Sequence, residues 1–167
     1  MKLELVNQQE YFDRYTNNLF ITNNYIMSFM NVLRDKIYLK AIKKLFKNKY
    51  SYINNISTSN IIFIFSALEI DELETLFGKG FETEEFGEGF HEKKHKIKVN
   101  KKTNGICYFF KLNGIECIYF IDHRGTSLEH CHILENDILQ FYIDLTELII
   151  TKTGVVERYK EYLKYEY

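Results

Sequence analysis

The sequence predicts an α+β fold: a helix-rich N-terminal half, an antiparallel hairpin-built sheet of about 3-4 strands over residues 95–134, and two C-terminal helices packed on it. Three observations predict it. All eight glycines lie at or beyond Gly78 and there is no proline, so the first 77 residues lack both strong helix breakers. Asn113-Gly114 sits between two apolar runs, the strongest short-range hairpin signal, because Asn and Gly tolerate the positive φ angles of a type I′ turn. Ile138, Phe141, Tyr142, Leu145, Leu148 and Ile149 recur at helical spacing behind that sheet.

The elements follow in order. Lys2 to Val6 reads as a short extended segment, and Asn7 with Glu10 has capping-box spacing ahead of Tyr11, Phe12 and Tyr15, so a helix begins near residue 8. A second, long helix starts at Thr22, with Ile26, Met30, Leu33, Ile37, Ala41 and Leu45 as its buried face. Ser51 to Asn60, rich in Asn and Ser, is a connection. Ile61 to Phe65 suits a buried strand or a buried helix; the reading adopted is a helix from about residue 60. Ser66 with Glu69 repeats the capping-box spacing, and Gly78 is the stop for a helix over Ala67 to Phe77. Gly78 to Phe90 is a surface loop held by its phenylalanines.

In the Asn113-Gly114 hairpin, Lys111 faces Glu116 and Phe110 faces Cys117, and apolar residues on both faces place these strands centrally. Asn104-Gly105 closes a second hairpin back to Lys96–Asn100, whose alternating lysines suit an edge strand. Asp122 to Thr126 turns the chain into a fourth strand, Ser127 to Leu134. A helix then runs from near Asn136 to a stop at Gly154, and a last amphipathic helix begins at Val155.

At 167 residues, with 46% apolar and 16% aromatic residues, the chain reads as a single domain, 1–167, able to fold without disulfide or metal staples. Cys107, Cys117 and Cys131 are odd in number and lack CxxC spacing, which fits a reducing compartment. No apolar run approaches bilayer length and the first ten residues contain no signal-type core, so a cytoplasmic, bacterial-type protein is expected. The net charge of −1 gives no whole-protein field to draw in nucleic acid, which is therefore not the expected partner. Phosphate loops, nucleotide fingerprints and nucleophile elbows are absent from the sequence.

Two histidine groups are candidates for chemistry. His91-Glu92-Lys93-Lys94-His95 matches HExxH, in which two histidines one helical turn apart bind zinc and the glutamate activates water. Its context argues against a metal, since it follows Gly87 and Gly89, runs into a strand, carries two lysines and gains no third histidine. Glu116, a conceivable third ligand, already faces Lys111. The second group is His123 and Arg124 in a turn after a central strand, with His130 and His132 on one face of the next strand; an acid/base site of a small hydrolase or RNase would be built there. Leu128 and Leu134 share that face, which favours packed histidines. Basic stretches at Arg34 to Lys49 and Lys93 to Lys102 would serve a nucleic-acid-binding module, but lysine is also the ordinary exposed residue of a long helix.

What remains is acidic. From Glu69 to Glu92 there are nine acids and one lysine, with glycines and phenylalanines between them. Glu69, Asp71, Glu72, Glu74, Glu82, Glu84, Glu85 and Glu88 would steer a basic protein, and Phe81, Phe86 and Phe90 would anchor it. The sequence therefore points to a non-enzymatic inhibitor, an immunity or antitoxin-type protein that neutralises a basic toxin such as a nuclease, without cofactor or metal. The hydrolase and the nucleic-acid module are the competing classes.

Overall fold

The computed structural model describes residues 2–17, 19, 22–51, 56–83, 105–122 and 125–160. The fold is α+β, with helices first, then the main strands of the sheet, then helices again. The described elements are β1 (Leu3–Leu5), α1 (Gln8–Thr16), β2 (Asn23–Asn24), α2 (Tyr25–Leu33), α3 (Lys36–Lys49), α4 (Thr58–Ser66) and α5 (Ile70–Phe77). They continue with β3 (Phe81–Thr83), β4 (Gly105–Leu112), β5 (Ile115–Asp122), β6 (Gly125–His130), α6 (Glu135–Lys152) and α7 (Val155–Arg158). They fall into two units. One comprises Met1–Tyr25 and Phe77–Ile133, the other Ile26–Leu76 and Leu134–Tyr167.

The first unit is built on the expected hairpin. Asn113 and Gly114 take φ of 54° and 79°, and the register pairs Lys111 with Glu116 and Phe110 with Cys117. Strand order is β1-β4-β5-β6-β2, all antiparallel, with β3 also paired to β4. β4 thus has β5 along one edge and shares its other edge between β3, opposite Gly105 to Cys107, and β1, opposite Phe110 to Leu112. The gap at Phe109 is filled by a side chain. The Gln8 amide donates to the Phe109 carbonyl at 2.7 Å and accepts the Phe109 N–H at 2.8 Å, replacing the missing strand partner.

Asn7 is the N-cap of α1, its side chain accepting from the Glu10 N–H at 2.9 Å. The helix turns Tyr11, Phe12 and Tyr15 onto Cys107 and Phe109 of β4 and Ile118 and Phe120 of β5, forming one buried cluster. Tyr108, Phe110, Leu112, Cys117 and Tyr119 alternate onto the other face and are equally buried, with Phe77 stacked on Phe110 at 4.0 Å. Both faces of the hairpin are apolar and covered, as its composition predicts. The edge strand expected at Lys96–Asn100 and its Asn104 turn lie outside the described residues. β6 ends at His130, so the expected strand to Leu134 is shorter: the Cys131 N–H still bonds the Glu116 carbonyl, but Leu134 is 67% exposed.

The second unit is helical. The single helix expected from Thr22 is two, because the last turn of α2 tightens through Arg34 N–H to Asn31 and Asp35 N–H to Val32. Asp35 then turns extended and caps α3, accepting from the Ile37 N–H at 2.8 Å. The restart changes the helix phase. Tyr38, Ile42 and Phe46 form the buried stripe of α3, while Ile37 and Met30, both expected inside, are 63% and 39% exposed. The Tyr38 hydroxyl shares a 2.9 Å hydrogen bond with Thr146 of α6. Phe29 packs on Tyr38, Phe65 and Tyr142, which ties α2, α3, α4 and α6 together.

Ile61 to Phe65 is helix, as adopted, but the segment to Gly78 is also divided. Ser57 and Asn60 make the capping box of α4, and the Ser66 hydroxyl turns back to the Ile62 and Phe63 carbonyls instead of capping α5. Glu69 takes the cap position, its N–H bonded to the Glu72 carboxylate at 3.0 Å. Gly78, at φ 81°, ends α5 as expected.

Gly80 carries a steric demand where β3 joins β4. A Cβ there would lie 2.6 Å from Ile106 Cγ2, 2.6 Å from a Tyr108 ring carbon and 2.9 Å from the Cys107 carbonyl. Gly80→Ala should therefore lower stability by about 1–3 kcal/mol in urea denaturation. Gly154→Ala, whose Cβ would meet only Glu72 at an ordinary 3.8 Å, is the comparison and should cost less.

Candidate functional site

The acidic segment divides at Phe77. Glu69 to Glu74 belong to the helical unit and Phe81 and Glu82 to the sheet unit, while Glu84, Glu85, Phe86, Glu88 and Phe90 lie outside the described residues. Within α5 the heptad position decides each acid's role. Leu73 and Leu76 are buried, which turns Ile70, Asp71, Glu74 and Thr75 outward and carries Glu72 inward with the leucines.

Glu72 is thus not a surface acid. Its Oε1 accepts from Arg158 Nη2 at 2.5 Å and from the Glu69 N–H, and its Oε2 accepts the Gly154 N–H at 2.9 Å. Arg158 also donates to the Ala67 carbonyl at 2.8 Å and lies 3.4 Å from the Glu69 carboxylate. One arginine therefore fastens the α4–α5 corner to the α6–α7 turn, and the carboxylate uses both oxygens in doing so. Burial pushes the Glu72 carboxyl up, but the Arg158 hydrogen bond, the Glu69 N–H, the Arg158 charge and the Gly154 N–H together outweigh it and hold it below the usual glutamate value.

Asp71 and Glu74 are exposed, lie one turn apart on the same face, and enter no ion pair among the described residues. Ile70, 44% exposed, accompanies them. Phe81, expected as an outward anchor, is half-buried and stacks on Phe12 at 4.1 Å. Glu82 pairs across the sheet with Ile106.

The sheet unit holds a second carboxylate–arginine pair, which the sequence reading assigned to Lys111. Glu116 receives a two-pronged contact from Arg14, Nη1 to Oε2 at 2.8 Å and Nη2 to Oε1 at 3.0 Å, while Lys111 acts only through its charge. Arg14 also sits 4.7 Å over the Tyr11 ring. The Arg14 contact holds Glu116 below the usual carboxylate value despite partial burial. Desolvation, with Glu116 beside it, pushes the Tyr11 hydroxyl up to about 12. Burial raises the Cys131 thiol to about 11 and Cys107 and Cys117 higher than normal, so all three are unreactive thiols.

Of the five histidines, His130 and His132 lie among the described residues. His130 is fully buried, its Nδ1 2.8 Å from the Cys131 carbonyl, and desolvation lowers its pKa, so it is neutral at pH 7. His132 lies past the end of β6 and is exposed, so the two do not share a strand face. His91, Glu92, His95, His123 and Arg124 lie outside the described residues. Among the described residues no three His, Cys, Asp or Glu side chains are grouped to hold a metal ion, and no helix is long and apolar enough to cross a membrane. Compared with family models, curated proteins and solved structures, the chain matches none.

Sequence reasoning missed Arg158 and Arg14. The signal was present: only four of the twenty-two basic residues are arginine, and two of those four hold Glu72 and Glu116. Glu72→Gln should lower the unfolding temperature at pH 7, by the equivalent of about 2 kcal/mol, since it removes the buried charge that Arg158 faces and leaves only the more exposed Glu69 to pair with it. A carboxylate with a depressed folded pKa contributes fully above its unfolded value and loses that contribution as pH falls through the folded one. The gap between wild type and Glu72→Gln should therefore be constant from pH 7 down to about pH 5 and narrow as pH falls below the ordinary glutamate value in a thermal series.

Proposed function

We propose that the protein is a non-enzymatic inhibitor of the immunity or antitoxin type, acting in the cytoplasm on a basic toxin domain, most simply a nuclease. The observation that carries the reading is the outward face of α5, where Asp71 and Glu74 stand beside an exposed Ile70 with no ion pair among the described residues. Such a face combines charges that steer a cationic partner with an apolar side chain to be desolvated on contact. Glu72 supports the reading indirectly. By locking α5 through Arg158 and Gly154 it holds the outward acids on a fixed backbone, so little order has to be gained on binding. Glu82, Glu84, Glu85 and Glu88 extend the acidity along the sequence, with Phe86 and Phe90 as further anchors in this reading.

An enzyme centred on histidines gains no support from His130, which is buried, desolvated and bonded to backbone. The test asks first whether a gene beside this one encodes a basic protein, and then uses that protein as a defined partner. Asp71→Lys/Glu74→Lys should fold normally, because both side chains are exposed, and should slow association at low salt by about tenfold or more. If the doubly reversed variant associates at the wild-type rate, α5 is a solvated helix and the reading fails. If the neighbouring protein does not bind the wild type at all, the immunity assignment fails with it.

A further inference from the structure

The restart at Asp35 has a consequence on the outside of α3. The buried stripe Tyr38, Ile42 and Phe46 fixes the rotation of this helix, and the side facing away carries five lysines beside an exposed Ile37 and Asn48. At about 100° per residue, Lys36, Lys40, Lys43, Lys44 and Lys47 fall within about 100° of arc centred away from that stripe. All five are exposed, and none has an ion pair or side-chain hydrogen bond among the described residues. No acid occurs between Lys36 and Lys49 to neutralise them. Lys49 differs, because its amine caps the Ile150 and Thr151 carbonyls at 3.0 and 3.2 Å, at the C-terminal end of α6. The free set is therefore the five lysines, over about 16 Å of helix at 1.5 Å per residue.

We propose that this face of α3 docks on the phosphate backbone of double-stranded DNA, independently of the α5 reading. Charge complementarity selects a polyanion, and the residues selected against narrow it further. The aromatics of α3, Tyr38 and Phe46, point inward, so there is no platform on which unpaired bases stack. The helix has no Arg, Gln or His, and Asn48 is its only side-chain amide, so it is equipped to hold phosphates and not to read base edges. Its apolar stripe is already buried within the helical unit and Ile37 alone is exposed, which leaves nothing to insert into a bilayer. Lys43 and Lys44 flank the line of Lys36, Lys40 and Lys47 on either side. A helix about 10–12 Å across with cations on both flanks matches the phosphate walls of the major groove of B-form DNA, about 12 Å wide. The narrow major groove of an A-form RNA duplex does not offer that spacing.

The net charge of −1 does not oppose this, because salt screens charges beyond about 8 Å at physiological ionic strength and docking depends on what lies within that distance. The test is fluorescence-anisotropy titration of the full chain against a mixed-sequence 24-base-pair DNA duplex, from about 30 to 200 mM salt. Binding should be sequence-independent, with log K falling against log salt at a slope of about −4.5 for about five phosphates. Lys40→Glu/Lys44→Glu should reduce affinity by at least tenfold and flatten the slope, and Lys40→Arg/Lys44→Arg should restore both. Circular dichroism and thermal melting of both variants should match wild type. Absence of binding at 30 mM salt, or equal binding by the charge-reversed variant, overturns the proposal. Tighter binding to an A-form RNA duplex, or to vesicles of phosphatidylserine and phosphatidylcholine, also overturns it, reassigning the face to RNA or to a membrane.

Discussion

A strand buried on both faces has no water with which to complete its hydrogen bonds, so every N–H and carbonyl along it must find a partner in the protein. β4 is such a strand, and the sheet unit is arranged around satisfying it. Along one edge the solution is regular, eight residues paired with β5. Along the other it is assembled from three pieces distant in sequence: β3 for the start, the Gln8 amide for Phe109, and β1 for the end. Because Gln8 is also the first residue of α1, the same contact sets where that helix begins, and so which of its residues reach Cys107 and Phe109. Gly80 belongs to the same arrangement, since β3 can approach only where no Cβ intervenes.

Glu72 in the helical unit and Glu116 in the sheet unit are each held by an arginine, while the exposed charges of α3 are all lysine. The division follows from donor geometry. Arg14 fills both oxygens of Glu116 with directed bonds, and Arg158 bonds one oxygen of Glu72 while reaching the Ala67 carbonyl, a division of donors that a planar guanidinium offers and an ammonium does not. Lysine, more strongly hydrated, keeps its charge in water while its stem lies along the helix surface. Of the lysines on α3, Lys49 alone is drawn in, by the unsatisfied carbonyls at the end of α6.

Local chemistry explains what could be read beforehand. Asn113-Gly114 needed only its own backbone preference, and once the turn was fixed the register of Lys111 with Glu116 followed by counting. Asn7 and Gly78 were legible for the same reason. The α2–α3 break was not, because apolar spacing runs uninterrupted from Ile26 to Leu45, and that spacing does not reveal that the second helix restarts with a different face inward. Asp35 was the available sign: it is the only acid between Thr22 and Lys49, and an isolated Asp ahead of an amphipathic run is a cap. At the acidic site, Asp71 and Glu74 were legible as outward residues, but Glu72 was not. Its partner Arg158 lies 86 residues away, and no local pattern encodes a pairing at that distance.

The sorting of acids on α5 bears on how such a surface recognises anything. A chain with a net charge near zero has almost no field beyond a Debye length, so attraction acts only once a partner is within about 8 Å. At that range the count of carboxylates matters less than their fixed positions. Four acids in six residues, Glu69, Asp71, Glu72 and Glu74, would form a diffuse negative spot if all pointed to solvent. Committing Glu72, and Glu69 in part, to Arg158 leaves two charges on one turn of a fastened helix. Fewer charges in a fixed arrangement lose less entropy on contact than many on mobile side chains, so the inward acid sharpens the outward pair.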